Sequence, residues 1–354
     1  MAEFVQTIMA RRNYREEIET ALAGGRPEHV PFTIYDGMTR VDGVDFAPLH
    51  AQGLALCCRR GVFECAAPNV TQKVVDEPGG VKRTVLQTPV GEISRTWKVG
   101  AYDAGAPLDH YVKSPDDYHV VEFIVKDRRY TPAYDDFIAA ERKIGDAGKV
   151  IAGTVYSPLL EIQLGWLGQE RFCYDIADNF AAVMELYELT CRSQEPMYDI
   201  VADGPAQWVL YGGNIVPEML GPSRVRDYVL PCWRRFADRL HARGKKMGVH
   251  LDANNLAISD IIRQSPLDFI EAFTPPPDCN VSVEQARRDW PDKRLWINFP
   301  SSVHLADDAR IREVTLEILR QAGDRRGFLM GITENIPNHV IARSLAAILR
   351  ALAE

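Results

Sequence analysis

The residues best suited to take part in a chemical reaction are His250, Asp252 and Asn254, which stand at alternate positions at the end of a short apolar run. Alternate residues of a strand lie on one side of it, so these three side chains are predicted to leave a strand end in one direction. Imidazole and carboxylate groups transfer protons or bind metals, which makes the cluster a candidate site. The alternative is a capped turn in which Asp252 and Asn254 accept hydrogen bonds from backbone N–H groups.

The elements that must position these residues recur along the chain as apolar runs, polar loops and amphipathic segments. Eight apolar runs are predicted to be buried strands separated by helices, a pattern typical of a parallel α/β fold. The runs are 30–35, 53–58, 149–156, 207–211, 246–250, 268–273, 295–299 and 327–332. Their number favours one (β/α)8 TIM-barrel domain over residues 1–354, with an N-terminal helical extension.

Residues 70–130 interrupt this rhythm between the second and third predicted strands. Residues 81–97 alternate in polarity around a Thr-Pro-Val-Gly turn at 88–91, which predicts a β-hairpin. The hairpin is expected to be an excursion from the barrel. The sequence leaves its role open between a lid and a docking surface.

Polar and aromatic residues gather where the predicted strands end, and in a (β/α)8 barrel these ends form the catalytic face. Substrate contacts are therefore expected from Tyr35, Asp36, Tyr156, Tyr211, Asn214, Asn254, Phe273 and Asn298. Four of these residues, namely Tyr35, Tyr156, Tyr211 and Phe273, are predicted to form an aromatic wall. Glu271 and Glu334 also follow strands, and each is either a site carboxylate or a cap of the next helix.

Composition narrows the class of protein. The formal net charge of -8 argues against nucleic acid as the main partner, and no apolar run reaches membrane-spanning length. The first four residues lack the features of a signal peptide, and the seven cysteines show no Cys-x-x-Cys spacing. We expect a cytoplasmic protein with reduced thiols. No phosphate-binding loop, dinucleotide fingerprint or Gly-x-Ser-x-Gly elbow is present in the sequence.

Four stretches, taken in order, resemble the uroporphyrinogen decarboxylase superfamily over nearly the whole chain. They are residues 88–91, residues 212–222 with Pro217-Glu218, His250-x-Asp252, and the closing segment 331–337. The chain is more similar to the corrinoid-dependent methyltransferase branch than to the decarboxylases. The resemblance implies a (β/α)8 barrel that moves a methyl group from a small methylated substrate to cob(I)alamin, the cobalamin cofactor carried by a separate corrinoid protein.

Two departures from the family pattern restrict what the resemblance implies. Residues 35–40 hold one arginine, Arg40, where the decarboxylases are arginine-rich, so porphyrinogen decarboxylation is not expected. Asp252 stands where the zinc-dependent thiol methyltransferases have a cysteine, and the last strand is followed by Thr333 and Glu334. A thiolate-rich zinc site is therefore not expected. A zinc site with oxygen and nitrogen ligands from His250, Asp252 and Glu334 is left as an alternative.

The expected function is the first methyl transfer of a demethylating system. A phenolate or alkoxide leaves poorly unless a proton or Lewis acid meets its oxygen, and His250, Asp252 and Glu334 are the candidate catalytic residues. An aryl methyl ether is the favoured donor, and a methylated amine is the other, because an aromatic wall suits both.

Two alternative functions stay open. One is decarboxylation of a small carboxylated substrate, for which few cationic groups are evident at the strand ends; the other is a non-catalytic ligand-binding barrel. The oligomeric state is open, with a homodimer as one option.

Overall fold

The computed structural model describes residues 12–100 and 105–354. In this part of the chain the strands are β1 Phe32–Tyr35, β2 Leu54–Arg60, β3 Phe63–Ala66, β4 Thr71–Glu77, β5 Val81–Thr88, β6 Gly91–Val99, β7 Gly105–Pro107, β8 Arg129–Pro132, β9 Gly148–Tyr156, β10 Trp208–Gly212, β11 Lys246–His250, β12 Phe269–Phe273, β13 Arg294–Asn298 and β14 Phe328–Ile332. The eight parallel strands β1, β14, β13, β12, β11, β10, β9 and β2, in that order, close into a barrel. The (β/α)8 prediction is confirmed, and each predicted strand lies within two residues of its observed bounds.

Helices connect the barrel strands. The longer α-helices are Tyr14–Leu22, Ala47–Gln52, Tyr118–Asp127, Asp135–Ile144, Gly168–Asp178, Phe180–Asp203, Leu230–His241, Ser259–Gln264, Val283–Asp289, Asp308–Gln321 and Asn338–Leu352. Shorter α-helical turns are Pro158–Leu160, Pro217–Leu220 and Pro222–Arg224, and π-helical segments are Glu161–Leu167 and Val225–Val229. The 3-10 turns are Asp36–Thr39, Pro115–Asp117, Gly145–Ala147, Asn255–Ile258 and Ser301–Leu305. None of the helices in the described ranges is long and apolar enough to cross a membrane.

The inside of the barrel is filled by side chains from alternate strand positions. The cluster contains Ala55, Cys57, Ile151, Trp208, Leu210, Phe269, Trp296 and Leu329, with Tyr35 packed against it. Helix Tyr14–Leu22 adds Ile18 and Leu22 to this cluster, so the predicted N-terminal helical extension is part of the core. Because alternate residues share a face, the inner set continues towards the carboxyl ends of the strands.

The described chain divides into two compact units. The first comprises the chain up to Val62 together with Tyr134–Thr154 and Pro205–Glu354, and it contains most of the barrel. The second comprises Phe63–Ala133 and Val155–Gly204. Within the second unit, β4, β5, β6 and β7 form a four-stranded antiparallel sheet, and β3 pairs with β8. The predicted hairpin is present as β5 and β6, paired from Val81↔Lys98 to Thr88↔Gly91.

Candidate active site

His250 and Glu271 form the centre of a polar cluster at the carboxyl ends of the barrel strands. They are register partners on the neighbouring strands β11 and β12. Gly248 and Phe269, two residues earlier, meet on the inner side of the barrel, so His250 and Glu271 share that face. The Nδ1–H of His250 donates to Glu271 Oε2 at 2.6 Å, and its Nε2–H donates to Asp252 Oδ2 at 3.2 Å. The imidazole is therefore held between two carboxylates.

Tyr35 and Arg59 complete the cluster from β1 and β2. The Tyr35 hydroxyl donates to Glu271 Oε1 and accepts from Arg59 Nη2. The Arg59 guanidinium stacks over the Tyr35 ring, with its central carbon 4.1 Å from the ring centroid. Its Nη2 lies 3.4 Å from Glu271 Oε1, as a looser ion pair than that between His250 and Glu271. Glu271 is fully buried, and the groups around it supply the hydrogen bonds that a buried carboxylate needs.

The carboxylates determine the charge of His250. Burial alone lowers the pKa of the imidazole, but the charge of Glu271 and the hydrogen bonds to Asp252 and Glu271 outweigh it and raise the pKa to about 10. Burial raises the pKa of Asp252, and the hydrogen bond from His250 outweighs that effect, so the pKa lies below its ordinary value. His250 is therefore an imidazolium at neutral pH, with a proton on each ring nitrogen and an ionised Asp252 beside it.

Glu334, after β14, belongs to the same electrostatic environment. Desolvation raises the pKa of its carboxyl, the charge of Asp252 raises it further, and the charge of His250 lowers it, with a net rise. The side chain is exposed, unlike Glu271. The three predicted catalytic residues thus interact through their charges, although Glu334 lies more than 80 positions from the other two in sequence.

The surroundings of His250 differ from those of a zinc ligand. Both ring nitrogens lie within hydrogen-bond distance of a carboxylate, Nδ1 with Glu271 and Nε2 with Asp252, so neither is free to bind a metal in this conformation. Across residues 12–100 and 105–354, no group of three or more histidine, cysteine, aspartate or glutamate side chains is placed to hold a metal ion. The ligand set expected from His250, Asp252 and Glu334 is therefore not formed in this conformation.

Two members of the predicted aromatic wall face the helices instead of the barrel mouth. Tyr211 is fully buried, and its ring packs edge-on against Phe236 at 5.2 Å between centroids. Phe273 is also fully buried and packs against Trp290 at 5.4 Å. In this structure the two rings therefore do not form part of the predicted wall, and their substrate contacts stay predictions. Leu210 occupies the inner position of β10, which turns Tyr211 outward, and a register shift between Glu271 and Phe273 reorients the end of β12.

Asn298 and Asp36 bind protein groups in the positions where substrate contacts were predicted. Asn298 is buried, donates to Thr274 Oγ1 at 3.3 Å and accepts from the backbone N–H of Thr333 at 2.9 Å. Asp36 accepts from Arg60 Nη2 at 2.5 Å. Both side chains tie strand ends together, so the structure gives them a positioning role.

Three further residues predicted to contact the substrate differ in their exposure. Asn214 is exposed at the loop after β10, and its backbone N–H donates to the carbonyl of His250 at 3.2 Å. Asn254 is half-buried and precedes a 3-10 turn that its side chain does not cap. Tyr156 ends β9, belongs to the second compact unit and is exposed. Their substrate contacts stay predictions.

Sequence reasoning missed Arg59, and it left Glu271 open between a site carboxylate and a helix cap. The apolar run of β2 was expected to end at Cys58, but the strand continues to Arg60. Ala55, Cys57 and Arg59 then form one alternating series on the inner face, a signal that was available in the sequence. Arg59 therefore adds one cationic group to the strand ends, where few were evident from the sequence.

Close backbone packing holds the His250 strand end. A Cβ on Gly213 would collide with the backbone carbonyl of His250, so the loop after β10 needs glycine there. On the other side, the Cys279 thiol donates to the carbonyl of Asp252 at 3.1 Å. Burial and the charge of Asp252 raise the pKa of Cys279 to about 11, which keeps this donor protonated.

Comparison with known proteins gives a likeness of fold. No family model and no curated protein sequence matches the chain. Among solved structures, it is similar to a methyltransferase from Methanosarcina mazei, with a TM-score of 0.58 and 11% identity over 97% of this chain and 99% of that one. It also matches a glycoside hydrolase family 5 enzyme from Prevotella bryantii at a TM-score of 0.44 and 9% identity, over 94% and 98% of the two chains. The first likeness shows a shared barrel fold, and the second is too remote for any conclusion.

Proposed function

We propose that the chain is a methyltransferase that moves a methyl group from a small aryl methyl ether to the cob(I)alamin of a corrinoid protein. The observation that carries this proposal is the position of the His250 ring at the carboxyl end of the barrel, between the carboxylates of Glu271 and Asp252 that favour its protonated form. An ether transfers its methyl group readily only when the departing oxygen receives a proton. The cluster holds such a proton where this fold places its chemistry.

The two protons of His250 are held unequally. Glu271 accepts the Nδ1–H at 2.6 Å, a short charge-assisted bond that orients the ring. Asp252 accepts the Nε2–H at 3.2 Å, which is long for a bond between charged groups, and Asp252 is partly exposed. The Nε2–H is therefore the proton available to a substrate oxygen, while Glu271 keeps the ring in place as a buried orienting carboxylate does in other acid–base pairs.

The chemical balance of the step is simple. Cob(I)alamin supplies an electron pair to the methyl carbon, and the carbon–oxygen bond breaks with its electrons staying on oxygen. The Nε2–H of His250 passes to that oxygen, so a phenol leaves and a neutral imidazole remains. A phenol has an ordinary pKa of about 10, close to that of His250, and this match suits proton transfer as charge develops.

The cluster favours an ether over a quaternary ammonium donor. One face of the Tyr35 ring is covered by the Arg59 guanidinium, so that face is not available to a cationic substrate. A quaternary amine also leaves as a neutral group and needs no proton from His250.

Decarboxylation is a second candidate function, because Arg59 provides the cationic group that it requires near the cluster. In that reaction the carboxylate would be lost as carbon dioxide, and a proton from His250 would replace it on carbon. The two candidates differ in their products and in their need for a corrinoid.

The test is to incubate the enzyme with reduced cobalamin, or a reduced corrinoid protein, and a panel of aryl methyl ethers, methylated amines and aromatic acids. The methylated corrinoid is followed by its absorption spectrum, and carbon dioxide is measured in parallel. We expect methyl transfer from at least one ether and its loss in His250→Gln. His241→Gln is the matched control, because His241 pairs with Asp268 just before β12 begins. Carbon dioxide release without a corrinoid would establish the lyase instead. If no compound in the panel gives either product, both proposed reactions are refuted.

A further inference from the structure

Arg59 has more hydrogen-bond donors than the protein uses. Its Nη2 donates hydrogen bonds to the Tyr35 hydroxyl and to Glu271 Oε1. Its Nε is buried and has no hydrogen-bond partner, and its Nη1 donates to no atom within residues 12–100 and 105–354. The side chain is 37% exposed. Nη1 is therefore the donor that remains for a ligand, and a charge-assisted hydrogen bond to it would add binding energy.

The charge of Arg59 is also only partly balanced. Its nearest carboxylate, Glu271, lies 3.4 Å from Nη2, whereas the same carboxylate lies 2.6 Å from Nδ1 of His250. Glu271 therefore neutralises the imidazolium more closely than the guanidinium. Stacking on Tyr35 fixes the plane of the guanidinium, which lowers the entropy cost of binding a planar partner.

Open space adjoins Arg59 on the neighbouring strand. Arg59 is the register partner of Ile151 on β9, and Gly153 follows two residues later on the same face. A Cβ placed on Gly153 would meet only the Cβ of Arg59, at 4.0 Å. The backbone of Gly153 has no positive φ that would require glycine. The glycine therefore leaves room beside Arg59 that any larger residue would occupy.

We propose that Arg59 and Gly153 form a carboxylate subsite, so that the methyl donor is an aromatic methyl ether bearing an acidic group. This inference rests on the proposed methyl transfer and names its substrate class. A carboxylate that binds Nη1 receives a charge-assisted hydrogen bond from a guanidinium whose plane is already fixed. Arg59 Nη2 lies 3.5 Å from Nδ1 of His250, so a substrate whose carboxylate binds Arg59 is held next to the imidazolium.

Equilibrium binding tests the subsite without any methyl transfer. The probes are 4-methoxybenzoate and its neutral analogue 4-methoxybenzamide, titrated by calorimetry into the full chain. We expect the acid to bind at least about tenfold more tightly than the amide. Arg59→Gln should abolish this preference, and Gly153→Val should weaken binding of the acid by filling the space. Arg263→Gln, an exposed arginine paired with Asp260, is the control that should keep the preference.

Arg59→Gln also removes a partner of Glu271, so its folding is checked by thermal unfolding. Arg59→Lys keeps the charge but not the planar fork, and it should retain part of the preference. Equal binding of the two probes by the unmodified protein, an unchanged preference in Arg59→Gln, or undiminished binding of the acid by Gly153→Val would overturn the subsite. A preference for the acid without methyl transfer to any corrinoid would retain the subsite and refute the proposed reaction. Methyl transfer with equal KM for both probes would refute the subsite and retain the proposed reaction.

Discussion

Replacing Glu271 by glutamine tests how the protein keeps a histidine charged inside the barrel. Glu271→Gln preserves the size of the side chain and removes the negative charge that faces Nδ1 at 2.6 Å. Burial by itself lowers the pKa of His250, so without this charge only the interaction with Asp252 favours the protonated ring. We expect the pKa of His250 to fall by at least about two units.

The same substitution changes how stability depends on pH. Because the pKa of His250 is raised from 6.5 to about 10 by folding, its contribution is fully present below pH 6.5 and is lost as pH rises through 10. That rise corresponds to roughly 5 kcal/mol of folding free energy. Breaking a buried charge pair costs about 3–5 kcal/mol, so Glu271→Gln should be less stable at pH 7. The difference from the unmodified protein should shrink towards pH 10.

Two assays measure these effects. Histidine NMR titration gives the pKa of His250, with His250→Gln used to assign the signal, and urea unfolding between pH 6 and 10 gives the stability difference. Asp268→Asn is the matched control, because Asp268 is a nearly buried carboxylate that pairs with His241 before β12 begins. This control should lose stability without moving the titration of His250. An unchanged pKa of His250 in Glu271→Gln, or a stability difference independent of pH, would refute the reasoning.

Three other substitutions examine the support of the site. Gly213→Ala should lower both the unfolding temperature and the rate of methyl transfer, because its Cβ collides with the His250 carbonyl, whereas Gly37→Ala, in open space, should not change stability. Phe273→Ala should lower the free energy of unfolding in urea by about 3–5 kcal/mol and leave the KM for the ether unchanged. A higher KM at unchanged stability would show that Phe273 contacts the substrate. Burial lowers the pKa of His304 to about 4, so its contribution to stability is present above pH 6.5 and lost as pH falls through 4. His304→Gln should remove roughly 3 kcal/mol of that acid-side dependence, and an unchanged acid unfolding curve would contradict this.

The barrel could be predicted from the sequence because its signal is local. Each strand is a short apolar run between polar segments, and burial on both sides makes such runs nearly continuous. The hairpin was equally accessible, because alternation and turn residues specify it within 17 positions. The His250–Asp252 pair followed from period-two spacing within a single strand end.

The rest of the site depends on which face each residue takes. Tyr211 was misassigned by one position, because aromatic character does not reveal whether a residue faces the barrel or its helices. Phe273 follows Ala272, whose φ of 60° accompanies the register shift in β12, and no residue type in that segment indicates such a shift. The Glu271–His250 contact joins two strands, so it becomes visible only once their register is known.

The most direct test of the central claim is how methyl transfer depends on the leaving group. Single-turnover rates to cob(I)alamin would be measured for aryl methyl ethers whose phenols span a range of acidity, with the unmodified enzyme and with His250→Gln. If the Nε2–H of His250 protonates the departing oxygen, the variant should be roughly 10²–10⁴-fold slower with methoxybenzoate and nearly normal with a nitrophenyl ether, whose oxygen needs no proton. The rate with the unmodified enzyme should also fall as pH rises through 10. An equal loss of rate for every ether, or unchanged rates in His250→Gln, would contradict the role of His250 as the acid.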